Sequence, residues 1–266
     1  MSVLLMTATI DSGHFGNVRT TIKDTEERRK QYEDALTKYI CNSKFDKIVF
    51  ADNSLQSLDE SYFRELAEKN GKTIEFLECP GDVNKMRAQG KSYGEAALIL
   101  DAFENSQLIH SEPAFYKVTG RVWVNNINKL VNDRPENCFI AHNHVEEVLT
   151  SFFKIKTNVF QEALSSAPEL CTDNIPGFPG HIEHVYYELL KKVTDPIKVF
   201  RVYPDLRGRN SGSGTLYTKT KGQRFVRNVA VFLRIMKYNP GKHFYYPLMK
   251  RLSKVAMKKA YRTYKG

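Results

Sequence analysis

Short apolar stretches alternate along the chain with amphipathic, helix-favouring stretches. The apolar stretches predict strands at residues 2–10, 47–51, 73–77, 114–118, 138–141 and 150–155. The amphipathic stretches predict helices at residues 24–40, 58–69, 94–104 and 181–192. This alternation predicts an α/β fold with a mostly parallel, Rossmann-type sheet flanked by helices on both faces.

The residues that follow the predicted strands are the first candidates for a binding site. In open α/β sheets, ligands bind outside the carboxyl ends of the strands, where the strand order reverses. The segments in that position are residues 7–11, 52–54 and 117–121. We therefore expect these three segments to contribute to one site.

The composition is that of a globular protein without a disulfide framework or a cysteine-bound zinc site. The 266 residues are 41% hydrophobic and 26% charged, which is ordinary for a soluble protein. The apolar run at residues 3–6 is too short for a signal peptide, and no apolar stretch approaches the length of a membrane span. The cysteines, Cys41, Cys79, Cys138 and Cys171, are far apart, which favours reduced thiols in the cytosol.

Charge is distributed very unevenly. Asp205 is the last acidic residue, and residues 206–266 carry 16 Lys and Arg. The first 205 residues carry 24 basic and 30 acidic groups, a net charge of −6, so the total is −6 + 16 = +10. Such a basic end indicates an anionic partner, either nucleic acid or a lipid surface, although a solvated end without a partner stays open.

The basic end is also amphipathic. Its basic and apolar residues separate onto different helical faces at 224–237 and again from residue 248. Two basic amphipathic helices are typical of binding to an anionic bilayer, although their apolar faces could instead pack on the body. The residues expected at the membrane are Arg224, Arg227, Arg234, Lys237, Arg251, Lys254 and Lys258. A Gly-, Ser- and Arg-rich stretch at 206–222 predicts a mobile loop between the body, 1–205, and these helices, 223–266.

Several common motifs are missing from the sequence. It contains no GxGxxG and no GxxxxGK[ST], which argues against a dinucleotide-binding domain and a P-loop kinase. Two histidine pairs, His142/His144 and His181/His184, lack the spacing of helical metal ligands. We expect ordinary hydrogen-bonded or substrate-contacting histidines there and no metal site.

The most informative segment is FYKVTGRVWVNN at residues 115–126. It gathers Lys117, Thr119 and Arg121 at a strand end, and Gly120 allows a close backbone approach. A lysine and an arginine there could neutralise a diphosphate, with the guanidinium as a bidentate donor. The alternative is that both cations pair with acidic neighbours on the surface.

Two short motifs resemble GT-A glycosyltransferases of bacterial capsule and O-antigen loci. They are GKSYGE at residues 90–95 and KVTGR at residues 117–121, within a likeness that covers residues 1–200. The resemblance implies a GT-A-like catalytic domain at 1–205 that binds a nucleotide sugar. The nucleotide-sugar contacts that it implies are Thr7, Thr9, Asp52, Asn53, Lys91, Glu95, Thr119, Arg207 and Arg209.

The chain departs from most GT-A enzymes because it has no DxD triplet, the motif that holds their divalent metal. The resemblance therefore implies a metal-independent variant without a cofactor, in which cations stabilise the departing nucleoside diphosphate. Lys117, Arg121, Arg207 and Arg209 are the candidates for that role. Glu183, near the start of a late predicted helix, is the candidate general base, or else an ordinary glutamate in a first helical turn.

Together these observations predict transfer of a hexose from a nucleotide sugar, with a UDP-sugar expected, to a lipid-linked saccharide. The acceptor would belong to O-antigen, capsule or lipooligosaccharide synthesis. The enzyme would be cytoplasmic and peripheral on the inner face of the plasma membrane, with no nucleic-acid partner. Two other classes stay open: a nucleic-acid-binding protein that uses the basic tail, and an inactive scaffold of a polysaccharide assembly complex.

Overall fold

A computed structural model describes residues 1–16, 22–56, 58–175, 179–209, 216–217 and 219–241. Arg251, Lys254 and Lys258 lie outside the described residues. None of the helices within these ranges is both long and apolar enough to cross a membrane.

The strands of the described residues fall into one large sheet and two small ribbons. In chain order they are β1 (Val3–Ala8), β2 (Lys47–Asp52), β3 (Thr73–Glu78), β4 (Ala114–Thr119), β5 (Trp123–Val124), β6 (Asn137–Cys138), β7 (Ala141–His142), β8 (Glu147–Val148), β9 (Phe152–Lys156), β10 (Ile197–Lys198) and β11 (Leu206–Arg207). The ribbons pair β5 with β11 and β7 with β8, both antiparallel.

The α-helices of the described residues follow most of these strands. They are α1 (Thr25–Asn42), α2 (Glu60–Lys69), α3 (Val83–Gln89), α4 (Lys91–Asn105), α5 (Gln107–His110), α6 (Thr157–Val159), α7 (Ala167–Leu170), α8 (Ile182–Leu189) and α9 (Lys221–Phe232). Shorter helical turns of other types lie at Ser12–Phe15, Ile127–Lys129, Phe160–Leu164 and Leu190–Lys192.

The large sheet has seven strands in the order β10-β6-β9-β4-β1-β2-β3. β1, β2, β3 and β4 run parallel, and only β9 opposes its neighbours β4 and β6. The chain moves outward from β1 to β2 and β3, and then returns to β4 on the other side of β1. The predicted α/β class with a mostly parallel sheet is confirmed, and the strand order reverses between β1 and β4.

Each face of the sheet carries its own apolar core. Alternate residues of β1 serve the two cores, since Val3 and Leu5 pack in one and Leu4 and Met6 in the other. Side chains from α4, α7 and α8 cover the first face, and side chains from α1 and α2 cover the second. A strand covered on both sides is apolar throughout, which explains why the sequence of β1 shows a continuous run and no alternation.

The C-terminal helix ends earlier than the pattern at 224–237 predicts. Arg234 has a left-handed backbone, with φ of 57°, and follows the last helical turn. The amide of Ile235 donates to the carbonyl of Ala230 and that of Arg234 to the carbonyl of Val231, the two bonds of a Schellman cap. Beyond this cap the chain returns to the body, where Met236 and Tyr238 are buried.

Candidate functional site

An open pocket with a cavity volume of about 80 Å³ lies at the carboxyl ends of β1 and β4, where the strand order reverses. Seven of the predicted nucleotide-sugar or catalytic residues line it: Thr7, Thr9, Asn53, Lys91, Glu95, Thr119 and Arg121. Ala8 and Gly94, from the predicted segments 7–11 and 90–95, also line it, together with residues that the sequence did not single out: Ser12, Phe15, Arg28, Tyr32, Met86 and Leu98. We call this site the switch-point pocket.

The loops after β1 and β2 are joined to each other at the pocket. The Asp52 carboxylate accepts hydrogen bonds from the amides of Ile10 (2.9 Å) and Ser54 (2.8 Å). Burial raises the pKa of Asp52, although the hydrogen bonds it accepts oppose that rise. Beside it, the Thr9 hydroxyl donates to the Asn53 side-chain oxygen at 2.7 Å. Asp52 therefore holds the loops in place, and Asn53 and Thr9 form part of the pocket wall.

Arg28 of α1 supports the same loop from below. Its Nε donates to the carbonyl oxygens of Thr9 (3.0 Å) and Ile10 (2.9 Å), and its side chain is almost fully buried. Burial lowers the pKa of Arg28, but a guanidinium keeps its charge at neutral pH. Because its donors bind loop carbonyls, Arg28 shapes the pocket and adds positive charge to its floor.

The TGR sequence after β4 is explained by close packing. A methyl group on Gly120 would lie 2.7 Å from the carbonyl oxygen of Thr7 and 3.0 Å from a ring carbon of Tyr32. The Gly120 amide donates to that same Thr7 carbonyl at 2.8 Å. Only glycine lets the chain pass between β1 and Tyr32, and this passage directs the next residue, Arg121, to the pocket.

Arg121 is the most unusual charged residue of the pocket. It is 5% exposed, one of its terminal nitrogens donates to the Gln31 side-chain oxygen (3.1 Å), and its guanidinium carbon lies 5.8 Å from the centre of the Tyr32 ring. No carboxylate among the described residues pairs with it, and its buried Nε has no hydrogen-bond partner. A buried guanidinium with an unused donor is costly unless an anion completes the site.

Lys117 lies beneath the pocket and is fully buried in β4. Its ammonium pairs with the Glu95 carboxylate at 2.5 Å and donates to the Thr150 carbonyl at 3.1 Å and the Thr119 hydroxyl at 3.3 Å. Burial acts to raise the pKa of Glu95, but Lys117 and Lys91 outweigh it and the pKa is lowered. All three donors of Lys117 have protein partners, so a ligand would meet Glu95 and Lys91 first.

The GKSYGE sequence forms the start of α4. Gly90 caps the helix with a left-handed backbone, φ of 93°, and a methyl group there would meet Asp173 at 2.9 Å. Asp173 accepts from the Ser92 amide (2.8 Å) and hydroxyl (2.6 Å) and so fixes the first turn. Lys91, which lies between Gly90 and Ser92 in the sequence, is half-buried in the pocket wall and forms no ion pair of 4.0 Å or less with a described residue.

Glu183 sits in the first turn of α8 and extends the same polar cluster. Its carboxylate accepts from the Thr150 hydroxyl at 3.2 Å, and Thr150 in turn binds Lys117 through its carbonyl. Burial and the nearby negative charge of Glu95 raise the pKa of Glu183. Glu183 is not among the residues that line the pocket and reaches Glu95 through Thr150 and Lys117. The two linked carboxyl groups have pKa values shifted in opposite directions, a pattern common where one of them accepts a proton.

The remaining candidates lie elsewhere. Arg207 in β11 pairs with Asp205 at 3.1 Å, Arg209 is exposed, and neither lines the switch-point pocket. Arg224 pairs with Asp205 at 3.0 Å, and Arg227 lies over the Tyr203 ring. Arg234 and Lys237 follow the end of α9.

The histidines divide between protein contacts and one mixed cluster. His181 pairs with Glu147 at 2.9 Å, and burial and the charge of Arg227 lower the pKa of His142 to about 4. His184, Glu146 and Glu188 approach closely enough to surround an ion. The Lys191 ammonium lies 2.5 Å from Glu188 and 3.9 Å from Glu146, however, so it already occupies the place of a cation.

Arg28 and Tyr32 are the main pocket residues that the sequence did not reveal. Both belong to α1, whose charged sequence TEERRKQYEDAL is typical of a solvated helix. The Tyr32 hydroxyl accepts from the Thr9 amide at 2.9 Å, so both residues bind the same loop. The only available signal was their four-residue spacing, which puts them on one face of the helix.

Comparison with known proteins gives weak likenesses. No protein-family model matches this sequence, and no curated protein matches it. The crystal structure of HddC from Yersinia pseudotuberculosis is similar with a TM-score of 0.34 and 11% identity, over 78% of this chain and 93% of that chain. A putative glucose-1-phosphate thymidylyltransferase from Bacillus anthracis, in complex with a sucrose, has a TM-score of 0.38 and 13% identity, over 91% and 98%. Likeness of this degree establishes neither a family nor an activity.

Proposed function

We propose that the chain is a glycosyltransferase that binds a nucleotide sugar in the switch-point pocket and transfers its hexose to a lipid-linked saccharide. The observation that carries this proposal is Arg121, a buried guanidinium with an unused donor at the point of the sheet where ligands bind in α/β folds. The partner that Arg121 lacks is an anion. A diphosphate would suit the site because a second cation, Lys91, lines the same pocket.

The pocket also offers groups suited to the rest of such a donor. Thr9 after β1 and Asn53 after β2 present hydroxyl and carboxamide groups with which a uracil or ribose could exchange hydrogen bonds. Glu95 is held ionised by Lys117 and can accept from sugar hydroxyls. A UDP-sugar is the donor that we expect, with the diphosphate between Lys91 and Arg121.

A divalent cation fits this set of residues poorly. The charged pocket residues are three cations, Arg28, Lys91 and Arg121, and one carboxylate, Glu95. Glu95 already pairs with the Lys117 ammonium, whereas Mg²⁺ and Mn²⁺ prefer carboxylate oxygens that are free to bind them. The cations of the chain, and not a metal ion, therefore stabilise the departing diphosphate in this proposal.

For the transfer itself, Glu183 is the proposed general base. The acceptor oxygen forms a bond to the anomeric carbon of the hexose, the bond from that carbon to the diphosphate oxygen breaks, and the nucleoside diphosphate leaves with the electron pair. The acceptor proton passes to the Glu183 carboxylate. A raised pKa makes Glu183 a better proton acceptor than Glu95, whose pKa is lowered.

The proposed acceptor explains the basic C-terminal end. A saccharide carried on a lipid lies at a membrane surface, and the cytoplasmic leaflet is anionic. Eight Lys and Arg lie in residues 206–241 and eight more in residues 242–266. Each basic residue near such a surface contributes about 1 kcal/mol, which suits reversible peripheral binding.

The test is release of nucleoside diphosphate from a panel of UDP-glucose, UDP-galactose, UDP-N-acetylglucosamine and GDP-mannose, with and without a bacterial lipid extract. We expect one donor to be consumed faster in the presence of lipid, with label appearing in the lipid fraction. Glu183→Gln should slow this transfer about 10²–10⁴-fold and leave donor binding intact.

Other results would contradict the proposal. Consumption of a nucleoside triphosphate with a sugar 1-phosphate, without transfer from any nucleotide sugar, would make the chain a nucleotidyltransferase. Tight donor binding without turnover on any acceptor would favour the inactive scaffold. Binding of RNA in place of every nucleotide sugar would favour the nucleic-acid reading of the basic tail.

A further inference from the structure

A second cleft, the tail cleft, lies between α9 and the ribbon of β5 and β11, and has a cavity volume of about 510 Å³. Its walls come from the body, at Asn126, Lys129 and His142, and from the basic end of the chain, at Lys219, Arg224 and Arg227. The predicted acidic body and basic tail therefore meet here and form a site together.

The tail cleft is strongly positive. Its lining contains five cations, Lys129, Lys219, Lys221, Arg224 and Arg227, against a single carboxylate, Asp205. Of the five, only Arg224 forms an ion pair of 4.0 Å or less with a described carboxylate. His142 stays neutral because burial and the charge of Arg227 lower its pKa to about 4. Four cations are thus left without a paired carboxylate among the described residues, which favours an anionic ligand.

Arg227 is held in a fixed position. Its guanidinium carbon lies 4.5 Å from the centre of the Tyr203 ring, and it donates to the Tyr203 hydroxyl. An arginine fixed on an aromatic ring loses little conformational entropy when it binds a phosphate. Lys219 lines the same cleft, and burial and the charge of Arg227 lower the Lys219 pKa. A phosphate between these two groups would relieve their mutual repulsion.

Asp205 adds an unused acceptor to this cleft. Its Oδ2 accepts from Arg207 at 3.1 Å, Arg224 at 3.0 Å and Asn125 at 3.3 Å. Its Oδ1 is buried and has no hydrogen-bond partner among the described residues, and the side chain as a whole is only 9% exposed. A carboxylate oxygen cannot accept a hydrogen bond from a fully ionised phosphate group, but it can accept one from a hydroxyl next to that group.

An apolar stripe on α9 continues from the cleft. Phe225 and Phe232 are 70% and 81% exposed, and Val229 and Leu233 lie on the same side. The spacing i, i+4, i+7 and i+8 forms one helical face. Phe225 belongs both to this stripe and to the wall of the cleft, so the positive site and the apolar surface are continuous.

We infer that the tail cleft binds the phosphate and adjoining sugar hydroxyls of a phosphorylated lipid, with the lipid chain along the stripe from Phe225 to Leu233. The inference rests on the proposed function in one respect, because the lipid would be the glycosyl acceptor. Charge complementarity selects the phosphate, Asp205 selects a neighbouring hydroxyl, and the stripe selects an apolar chain.

The test uses calorimetry on the full chain with farnesyl diphosphate, below its micelle concentration, as a soluble phosphorylated amphiphile. Inorganic diphosphate and farnesol are the two half-ligands. We expect farnesyl diphosphate to bind at least tenfold more tightly than either, and Arg227→Gln to weaken it at least tenfold. Lys219→Gln, which leaves the Tyr203 contact intact, should weaken it in the same direction.

Arg64→Gln is the matched control. Arg64 also lies over an aromatic ring, with its guanidinium carbon 5.2 Å from the centre of Phe76, but it belongs to α2 beside the edge strand β3 and lines neither the tail cleft nor the switch-point pocket. Its loss should leave farnesyl diphosphate binding unchanged. Arg121→Gln, in the switch-point pocket, should also leave it unchanged while it weakens UDP binding.

The outcomes separate this inference from the proposed function. If Arg121→Gln abolishes farnesyl diphosphate binding and Arg227→Gln does not, the amphiphile binds the switch-point pocket and the inference is wrong, while the proposed function stands. If inorganic diphosphate binds as tightly as farnesyl diphosphate, the apolar stripe has no role in binding. If farnesol binds as tightly as farnesyl diphosphate, the cations have none. Tighter, Arg227-dependent binding of a 12-nucleotide oligouridylate would assign the cleft to nucleic acid. Failure of UDP to bind, with farnesyl diphosphate binding retained, would overturn the proposed function alone.

Discussion

The ion pair between Lys117 and Glu95 gives the clearest quantitative prediction. Lys117 is fully buried and its ammonium lies 2.5 Å from a carboxylate that is 17% exposed. The substitution Lys117→Met keeps the volume of the side chain but leaves Glu95 without its main partner. Removing one member of a buried pair costs about 3–5 kcal/mol, so the free energy of unfolding should fall by that amount at neutral pH.

The double variant Glu95→Gln/Lys117→Met is the matched control. It removes both charges, and what is lost is the hydrogen bond to the Thr150 carbonyl, at about 1–2 kcal/mol. Urea unfolding measures both variants, with fluorescence from Trp123, the only tryptophan, as the signal. The double variant should therefore be about 2–3 kcal/mol more stable than Lys117→Met.

The pH dependence follows from the Glu95 pKa. In the native chain this pKa lies below its ordinary value of 4.5, so the stability it contributes is present above that value and is lost as pH falls through the folded-state pKa. In Lys117→Met, the charge of Lys117 no longer offsets the burial of the Glu95 carboxylate, so the Glu95 pKa should rise above 4.5. The variant should then be most stable at acid pH and lose stability as pH rises, so its deficit against the native chain widens from pH 4 to pH 8. A deficit under 1 kcal/mol, or one independent of pH, would refute this reasoning.

Further predictions concern the close-packed glycine, the proposed base and the C-terminal end. Gly120→Ala should lower the free energy of unfolding by about 1–3 kcal/mol because its methyl group meets backbone, whereas Gly222→Ala in α9, with no atom nearby, should raise it by about 0.5–1 kcal/mol; thermal unfolding compares the two. Glu183→Gln should reduce kcat about 10²–10⁴-fold and remove the acid limb of the pH profile, since the raised pKa leaves the native base protonated at acid pH. The same variant should be as stable as the native chain at pH 8, where burying an ionised Glu183 is unfavourable, and a large loss of stability there would indicate a structural role. Removal of residues 242–266 deletes eight Lys and Arg but keeps the buried Met236 and Tyr238, so binding to phosphatidylglycerol vesicles should weaken with no change in unfolding temperature. Unchanged vesicle binding would contradict the membrane role of that segment.

Much of the fold follows from the hydrophobic pattern. The predicted strands at 47–51, 73–77 and 114–118 each differ from the observed strand by a single residue, because strands buried on both faces are continuous apolar runs. The predicted strand at 138–141 is divided between β6 and β7, which pair with different partners. Such a division depends on tertiary pairing and has no local signal.

The site shows where the pattern stops being informative. The strand-end rule predicts that Thr7, Asn53 and Arg121 contribute to one site, and all three line the switch-point pocket. Lys117 was placed at a strand end beside the ligand, yet β4 is buried along its length and the lysine serves Glu95 beneath the pocket. The sequence does not predict a role for Arg28, because its burial depends on hydrogen bonds to carbonyl groups distant in the sequence, those of Thr9 and Ile10.

Titration of UDP by calorimetry, in EDTA and then with added Mn²⁺, tests the central claim most directly, with GDP and CMP as competitors. We predict that UDP binds in the micromolar range, that the chelator leaves its affinity unchanged, and that Arg121→Gln weakens it at least tenfold while Arg64→Gln does not. No binding of any nucleotide under either condition, or UDP binding that Arg121→Gln leaves unaltered, would contradict the assignment of the switch-point pocket to a nucleotide sugar.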